Sequence, residues 1–400
     1  MKKRPRAWAE IDLDRLSGNL AVIRQSLGGS DALMLVLKAD AYGHGALAVA
    51  RHVLARGEAR AFGVGDSREA LALRNAGIDA PLLVLGAIVD GEMREVVRHD
   101  VAVCVHSLER VRMLDDEARR QGRRCRVHVM VDTGMGRLGP FADRAIEVAE
   151  AVLAADNLDL EGVATHLSST SERGDPFTAQ QITRFGEFRE RLRRRDVPMP
   201  VFHAANSGAV LDSGAAGFDM VRVGAAAYGI LARTDGAASK LEPVLSLKTQ
   251  VIYLKDVPTG TPISYGRMHV TSDKTRIATL PIGYNDGFRF GLSNQWSVLV
   301  KGRRAPVVGA VSMDYCMIDV GAIPGVEAGD ECTLIGRDGD ERITVPEMAS
   351  ALGTVPYEVT CGLGQRVVRQ HRPRPARPAL ADALHEPPGQ LVRPEELTTD

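Results

Sequence analysis

LMLVLKADAYGHG, residues 33–45, runs five apolar residues straight into Lys38 and then into a tyrosine and two glycines. A stretch apolar at every position suits a strand covered on both faces, as in a parallel sheet packed between helices. Runs of the same kind recur at residues 61–65, 82–85, 101–105, 126–131, 162–166, 201–204 and 220–223. The gaps carry helical periodicity. One is Ala46, Leu47, Val49, Ala50, Val53 and Leu54; another is Ala70, Leu71, Leu73 and Arg74, ended by Gly77. A glycine after the last periodic residue is a usual helix stop. Eight such units predict an α/β fold, a (β/α)8 TIM barrel over residues 14–241, where a doubly wound sheet would more often stop at five or six.

Past Leu241 the alternation ends. Strand-like segments separated by turn signals follow at 244–253, 275–280, 297–300, 305–311, 316–320 and 332–335, which predicts a C-terminal all-β domain over 242–370. Residues 6–13 alternate like a strand and are expected to join that domain. Residues 371–400 hold six of the chain's 20 prolines and read as a flexible tail with room for one short helix.

Composition narrows the function. The 400 residues are 44% hydrophobic and 25% charged, ordinary for a globular protein with a full core, and the net charge is -1. That balance offers no pull toward nucleic acid, so a small-molecule partner is expected. The basic start, MKKRPRAWAEIDL, is not followed by an apolar segment, and no stretch is long enough to span a bilayer. Cys104, Cys125, Cys316, Cys332 and Cys361 are odd in number and form no CxxC pair. They read as free cytoplasmic thiols, with no metal site.

In a TIM barrel the chemistry sits at the C-terminal strand ends. The residues there are Lys38, the Asp132–Arg137 segment, His166, Asn206-Ser207-Gly208, and Arg222 with Gly224 and Ala225. A lysine at a barrel mouth is partly desolvated, which lowers its pKa and suits it to a Schiff base with an aldehyde. For one isolated lysine, snorkelling at a strand end is the stronger reading. The loops after strands seven and eight are the usual phosphate site of this barrel, although glycine-rich turns alone explain them equally. An amine and a phosphate cradle together point to pyridoxal 5'-phosphate.

VLKADAYGHGA, VDTGMGRLG, THLSS, HAANSGAV, VRVGAAAYG, ISYG, LPIGYNDG and VSMDYCMID, in this order over residues 6–370, resemble the alanine racemase family. The resemblance implies L- to D-alanine interconversion by two bases, supplying peptidoglycan. It also implies a cytoplasmic homodimer with shared active sites. Lys38 resembles the cofactor-binding lysine and one base, and Tyr265 the opposing base from the other subunit. Arg222 resembles the residue facing the pyridine nitrogen, where a donor-only guanidinium leaves that nitrogen unprotonated. His166 resembles the link from Tyr265 to Arg222. Tyr42, Asn206, Ser207, Gly224 and Ala225 resemble cofactor and phosphate contacts. Arg137 and Met313 resemble groups that meet the substrate carboxylate, Arg137 also lying near the cofactor phenolate. Tyr284 resembles a tyrosine of the entrance and phosphate region, and Asp314 resembles a family aspartate beside it.

Three positions depart from the family pattern. Met130 stands where many members carry a carbamylated lysine, so Arg137 is expected to be held by chloride, by another carboxylate, or less firmly. Gln365 replaces a phosphate-contacting tyrosine, and Phe290 replaces an entrance arginine. Competing readings are a racemase of serine or of a broader amino-acid set, a barrel decarboxylase, and a non-catalytic pyridoxal-phosphate carrier. Arg222 argues against decarboxylation, because that chemistry wants an acid at the ring nitrogen. The β domain and Tyr265 argue against a single-domain carrier.

Overall fold

The structure is a computed structural model that describes residues 4–27, 32–170, 174–195, 197–213, 218–232 and 235–373. Nearly all of the expected tail, residues 374–400, lies outside the described residues. The chain opens with β1 (Ala7–Asp12), and Asp12 caps the following helix, Leu13–Ser26, by accepting from the Arg15 N–H at 3.0 Å.

Eight parallel strands then build the barrel: β2 (Ala32–Val36), β3 (Ala61–Val64), β4 (Leu82–Val84), β5 (Ala102–Val105), β6 (Cys125–Met130), β7 (Leu158–Ala164), β8 (Val201–His203) and β9 (Met220–Val223). They pair in chain order, and β2 also pairs with β9, with Leu35 opposite Phe62 on one side and Val223 on the other. The last seam, β8 to β9, closes through Asp219 N–H to Phe202 O at 2.8 Å and Arg222 N–H to Ala205 O at 3.0 Å. Alternation along β6 sends Val127 and Val129 outward under the helices. His128 and Met130 face inward. The barrel interior is therefore not uniformly apolar. Met34, Leu83, Ala102, Cys104, Met130, Ala164 and Met220 fill part of it, and His128, His203 and Arg222 fill the rest.

The C-terminal domain is built on β10 (Leu245–Gln250), β11 (Tyr253–Val257), β12 (Pro262–Ile263), β13 (His269–Val270), β14 (Thr275–Leu280), β15 (Ser297–Val300), β16 (Arg303–Pro306), β17 (Cys316–Asp319), β18 (Glu331–Asp338), β19 (Glu341–Ile343) and β20 (Val368–Arg372). The main sheet runs β16-β15-β18-β10-β1-β20 with β19 beside β18. A second sheet is β11-β14-β17, and β12 and β13 form a hairpin. β1 lies antiparallel to β10 and parallel to β20. Pairing runs to Arg372, two residues past the expected boundary at 370, because β20 follows β1 for its full length. Two short helices, Val345–Ala351 and Pro356–Cys361, interrupt the strands. The two parts share one apolar core, in which Ile11, Leu16 and Leu245 belong with Val127 and Leu299.

Candidate active site

Residues 38–43 leave β2 in an unusual backbone. Ala39, Asp40, Ala41 and Tyr42 all have φ between 53° and 56°. A left-handed conformation costs a non-glycine residue about 1–2 kcal/mol, so four in a row need external support. Glu69 supplies part of it, accepting from the N–H of Ala39 at 2.6 Å and of Gly65 at 2.7 Å. The Asp40 carboxylate accepts from Ala46 N–H at 2.8 Å. The buried His44 donates Nδ1–H toward Ala41 O at 2.9 Å and Tyr42 O at 3.0 Å. β20 reaches across: Arg369 Nε donates to Gly43 O at 3.2 Å and His371 Nε2 to His44 O at 2.8 Å. Gly43 is obligatory on two counts, a φ of 84° and a Cβ that would lie 2.1 Å from Thr360 O on the helix Pro356–Cys361.

This turn sets Lys38 at the rim. Lys38 is exposed by surface area, with Tyr42 and Arg137 beside it. Burial, with Arg137 next, pulls its pKa below the ordinary lysine value. Nζ lies 6.0 Å from the centre of the Tyr42 ring. That ring packs 5.3 Å from Tyr228, and burial raises the Tyr42 phenol's pKa. Gly224 is where the chain lets Tyr42 in: a Cβ there would stand 2.5 Å from the phenolic oxygen.

Arg222 is buried on β9. Its Nη1 donates to His203 Nδ1 at 2.6 Å and His203 O at 2.7 Å. Its Nη2 donates to Thr165 O at 2.7 Å, to Ala204 O at 3.1 Å and, at 3.4 Å, to His166 Nδ1. The Nε–H has no acceptor among the described residues. Burial lowers the guanidinium to about 10, so it stays charged at neutral pH. Burial, followed by the charges of Arg222, Arg137 and Lys38, pushes His166 down to about 3, so it is neutral. Arg222 and His166 are thus within hydrogen-bond distance of each other in the chain.

Ser207 Oγ accepts from the N–H groups of Gly224 at 3.0 Å and Ala226 at 3.2 Å, which leaves its own proton to donate. The Ala225 N–H has no acceptor among the described residues. Asn206 ties the loop down through Leu167 O at 3.1 Å. The segment 132–137 wraps around Asp132, whose carboxylate accepts from Gly134, Met135 and Gly136 N–H at 2.8 to 3.2 Å. Arg137 projects from it, exposed, into a cavity of about 540 Å³ shared with His106 and Phe141. Among the described residues Arg137 has no ion pair or hydrogen bond, so of the three expected alternatives the substitute carboxylate is not found there. Met130 is buried and packs with Leu138 beneath that loop.

The other expected residues gather on the C-terminal domain. Tyr265 sits at the tip between β12 and β13, 77% exposed, with no side-chain hydrogen bond among the described residues. Tyr284, Met313 and Asp314 lie together, joined by Tyr284 N–H to Ser312 O and Asn285 N–H to Met313 O. Arg366 holds this group, donating twice to the buried Asp286 at 2.9 and 3.0 Å and once to Asp314 at 2.6 Å. Phe290 is 55% exposed. Gln365 is exposed in the loop after the helix that packs on residues 38–43. Within one chain, no hydrogen bond joins Tyr265 to His166 or to Lys38.

Sequence reading missed Glu69, His44, Arg369 and His371, which hold the left-handed turn, and His128, His203 and Glu161 behind Arg222. His44 and His203 stood inside the quoted motifs YGHG and HAANSG. Glu69 and Arg369 gave no local signal, because their partners are 30 and 326 residues away.

The family model for the N-terminal domain of alanine racemase matches residues 11–232, and that for its C-terminal domain matches residues 244–371. The alanine racemase of Halothermothrix orenii is 40% identical over 366 residues, covering 91% of this chain and 96% of that one. That of Methanococcus maripaludis is 39% identical over 365 residues, covering 90% and 97%. Among solved structures, an alanine racemase from Clostridium difficile matches with a TM-score of 0.86 at 33% identity, over 92% of this chain and 95% of that one.

Proposed function

The chain belongs to the alanine racemase family, and from that premise we propose which of its residues carry the reaction. The activity is the interconversion of L- and D-alanine, and the family depends on pyridoxal 5'-phosphate. The residues at the barrel rim fit that cofactor. Lys38 offers an amine with a depressed pKa, and Gly224 leaves room for the Tyr42 phenol. Ser207, Ala225 N–H, Asn206, Gly224, Tyr42 and Gln365 would hold the phosphate end. Arg222 offers its one unused donor, Nε–H, to the ring nitrogen. When bound, pyridoxal 5'-phosphate supplies an aldehyde that takes a primary amine and a ring that draws electron density from the adjoining Cα.

Racemisation removes the Cα proton on one face and returns one on the other. Lys38 Nζ and the phenolic oxygen of Tyr265 of the partner subunit are the two acceptors. His166 accepts from Arg222 at Nδ1, so its proton sits on Nε2 and is free to hold that phenolic oxygen. Arg222 donates only and keeps the ring nitrogen unprotonated, which limits carbanion build-up and disfavours side reactions. Arg137, without a charged partner at position 130, is left to meet the substrate carboxylate together with Met313 of the partner subunit.

One observation carries the dimer: Lys38 and Tyr265 are prepared at separate places in a single chain, one braced and one bare. A second copy completes each site. We further assign the product, D-alanine, to cell-wall precursor supply in the cytoplasm; no helix among the described residues is long and apolar enough to cross a membrane.

Subunit mixing tests the shared site. Lys38→Ala and Tyr265→Ala proteins are each expected to lack exchange of the alanine Cα proton in deuterated water. Mixed and re-equilibrated, they should recover about a quarter of wild-type activity, since half the dimers are hybrids with one intact site. No recovery from mixtures shown to contain hybrids refutes the shared site.

A further inference from the structure

Behind Arg222 a line of polar side chains crosses the barrel interior. His203 Nε2 and His128 Nδ1 are 2.8 Å apart, and His128 Nε2 lies 3.0 Å from Glu161 Oε2. Arg126, near the opposite mouth, donates to Glu161 at 3.1 Å and to Asp100 at 3.1 and 3.2 Å. Both rings are buried.

The ends of this line dictate its direction. A guanidinium only donates and a carboxylate only accepts. Arg222 Nη1 gives a proton to His203 Nδ1, so His203 carries its own on Nε2 and gives that to His128 Nδ1. His128 then carries its proton on Nε2 and gives it to Glu161. Every hydrogen bond points from Arg222 to Glu161, both rings are neutral, and each ring is confined to one tautomer. Burial and the Arg222 charge, holding His203 far below its ordinary pKa, agree with this.

The backbone is adapted to the line. The pairing of β6 with β7 passes from Val127 opposite Leu160 to His128 opposite Gly162, so Glu161 is the extra residue of a bulge. Bulges re-aim a side chain, and this one faces the His128 ring. Gly162 makes room for that ring, since a Cβ there would lie 2.1 Å from its Nδ1. Stability alone does not call for the arrangement. The neighbouring inward positions are filled by Met, Leu, Cys and Ala. A satisfied buried hydrogen bond adds only about 0.5–1.5 kcal/mol over none, and one missing partner would cost about 1–3 kcal/mol.

We propose that Glu161 is a positioning residue for Arg222, acting through His128 and His203 as the terminal acceptor that holds both rings in place and so holds the guanidinium with Nε–H free. This rests on the reading of Arg222 as the partner of the cofactor ring nitrogen. Glu161 touches neither substrate nor cofactor, and what it supplies is an acceptor at the end of the line. Its loss does not strand Arg126, which keeps Asp100.

The test uses the purified enzyme labelled with 15N-histidine, with Glu161→Leu and Glu161→Gln variants. Glu161→Met serves as a second acceptor-free variant should Leu disturb the fold. In wild type the ring nitrogen signals should show His128 and His203 as neutral Nε2–H tautomers. Gln, whose carbonyl still accepts, should preserve them, whereas the acceptor-free variant, in which Arg222 still directs the line, should leave the His128 Nε2–H unbonded and shift its ring nitrogen signal. In parallel, kcat should fall about tenfold without the acceptor, with KM for alanine little changed, and should return with Gln. An unmoved His128 ring signal in a folded acceptor-free variant overturns the proposal, as does a loss of kcat that Gln fails to restore. A wild-type enzyme that racemises nothing would defeat the functional reading instead, and the ring signals would still decide the proton arrangement.

Discussion

Two short segments hold non-glycine residues at positive φ beside residues proposed as bases, and they are supported very differently. At the barrel rim, Ala39 to Tyr42 are braced by Glu69, Asp40, His44, Arg369 and His371, from both domains. At the tip of the C-terminal domain, Ser264 (φ 64°) and Arg267 (φ 52°) flank Tyr265 with less around them. Ser264 Oγ donates to Ala310 O at 2.7 Å, and Arg267 N–H reaches Ser264 O at 3.3 Å. Met268 and Val270 beside the tyrosine are about half exposed. The rim thus arrives with its geometry fixed, its strain offset inside the chain. The tip presents apolar surface and an unbonded phenol, as a surface completed by another molecule does. In the proposed dimer the rigid half sets where the substrate lies, and the docking half delivers a proton acceptor to it.

The sharpest way to break this contrast is Tyr265→Phe. It removes one hydroxyl that bonds nothing in its own chain, so the thermal midpoint should stay put. The rate of alanine racemisation should fall about 10²- to 10⁴-fold, the range for a lost general acid or base. A lowered midpoint with modest rate loss would make the tip a structural element. Gly43→Ala probes the rim in the opposite sense. The new methyl meets Thr360 O and the φ of 84° suits only glycine, so urea unfolding should show a loss of about 3 kcal/mol or more. If that variant is as stable as wild type, the rim is loose and the contrast fails.

How much of this was readable beforehand follows the same division. The strands were legible because β2 to β9 are local apolar runs between helices, and Lys38, His166 and Arg222 follow from strand ends. The interior column was not, since His128 and Glu161 look like ordinary polar residues until a bulge turns one toward the other. The left-handed turn was hidden as well. Nothing in Ala-Asp-Ala-Tyr announces positive φ, a conformation imposed by Glu69, Thr360 and β20 from distant parts of the chain. Position 130 shows the converse. The absence of a lysine was plain in the sequence, but only the fold shows Met130 packed with Leu138, leaving Arg137 without a carboxylate among the described residues.

Acid should find the rim through His44. Its ring is fully buried and stacked 4.6 Å from Tyr228, with His371 and Arg369 from β20 close by. Nδ1–H is used on Ala41 O and Tyr42 O, while Nε2 has no partner. A second proton would have no acceptor, and burial pushes the pKa down to about 4 from an ordinary 6.5. The folded value lies below the unfolded one, so between them the unfolded chain binds more protons. Stability is then complete above pH 6.5 and falls as pH drops toward 4. At pH 5.5 this one group should remove about 1.4 kcal/mol. His203, also lowered, acts with the same sign, so the comparison must be made against a variant. His44→Asn keeps a donor near Nδ1 and cannot titrate. Urea midpoints at pH 7.5 and 5.5 should differ less for His44→Asn than for wild type, by an amount worth about 1.4 kcal/mol. Equal pH dependence in the two proteins would mean that the His44 ring is reached by water, and that the turn carrying Lys38 is less firmly closed than its hydrogen bonds indicate.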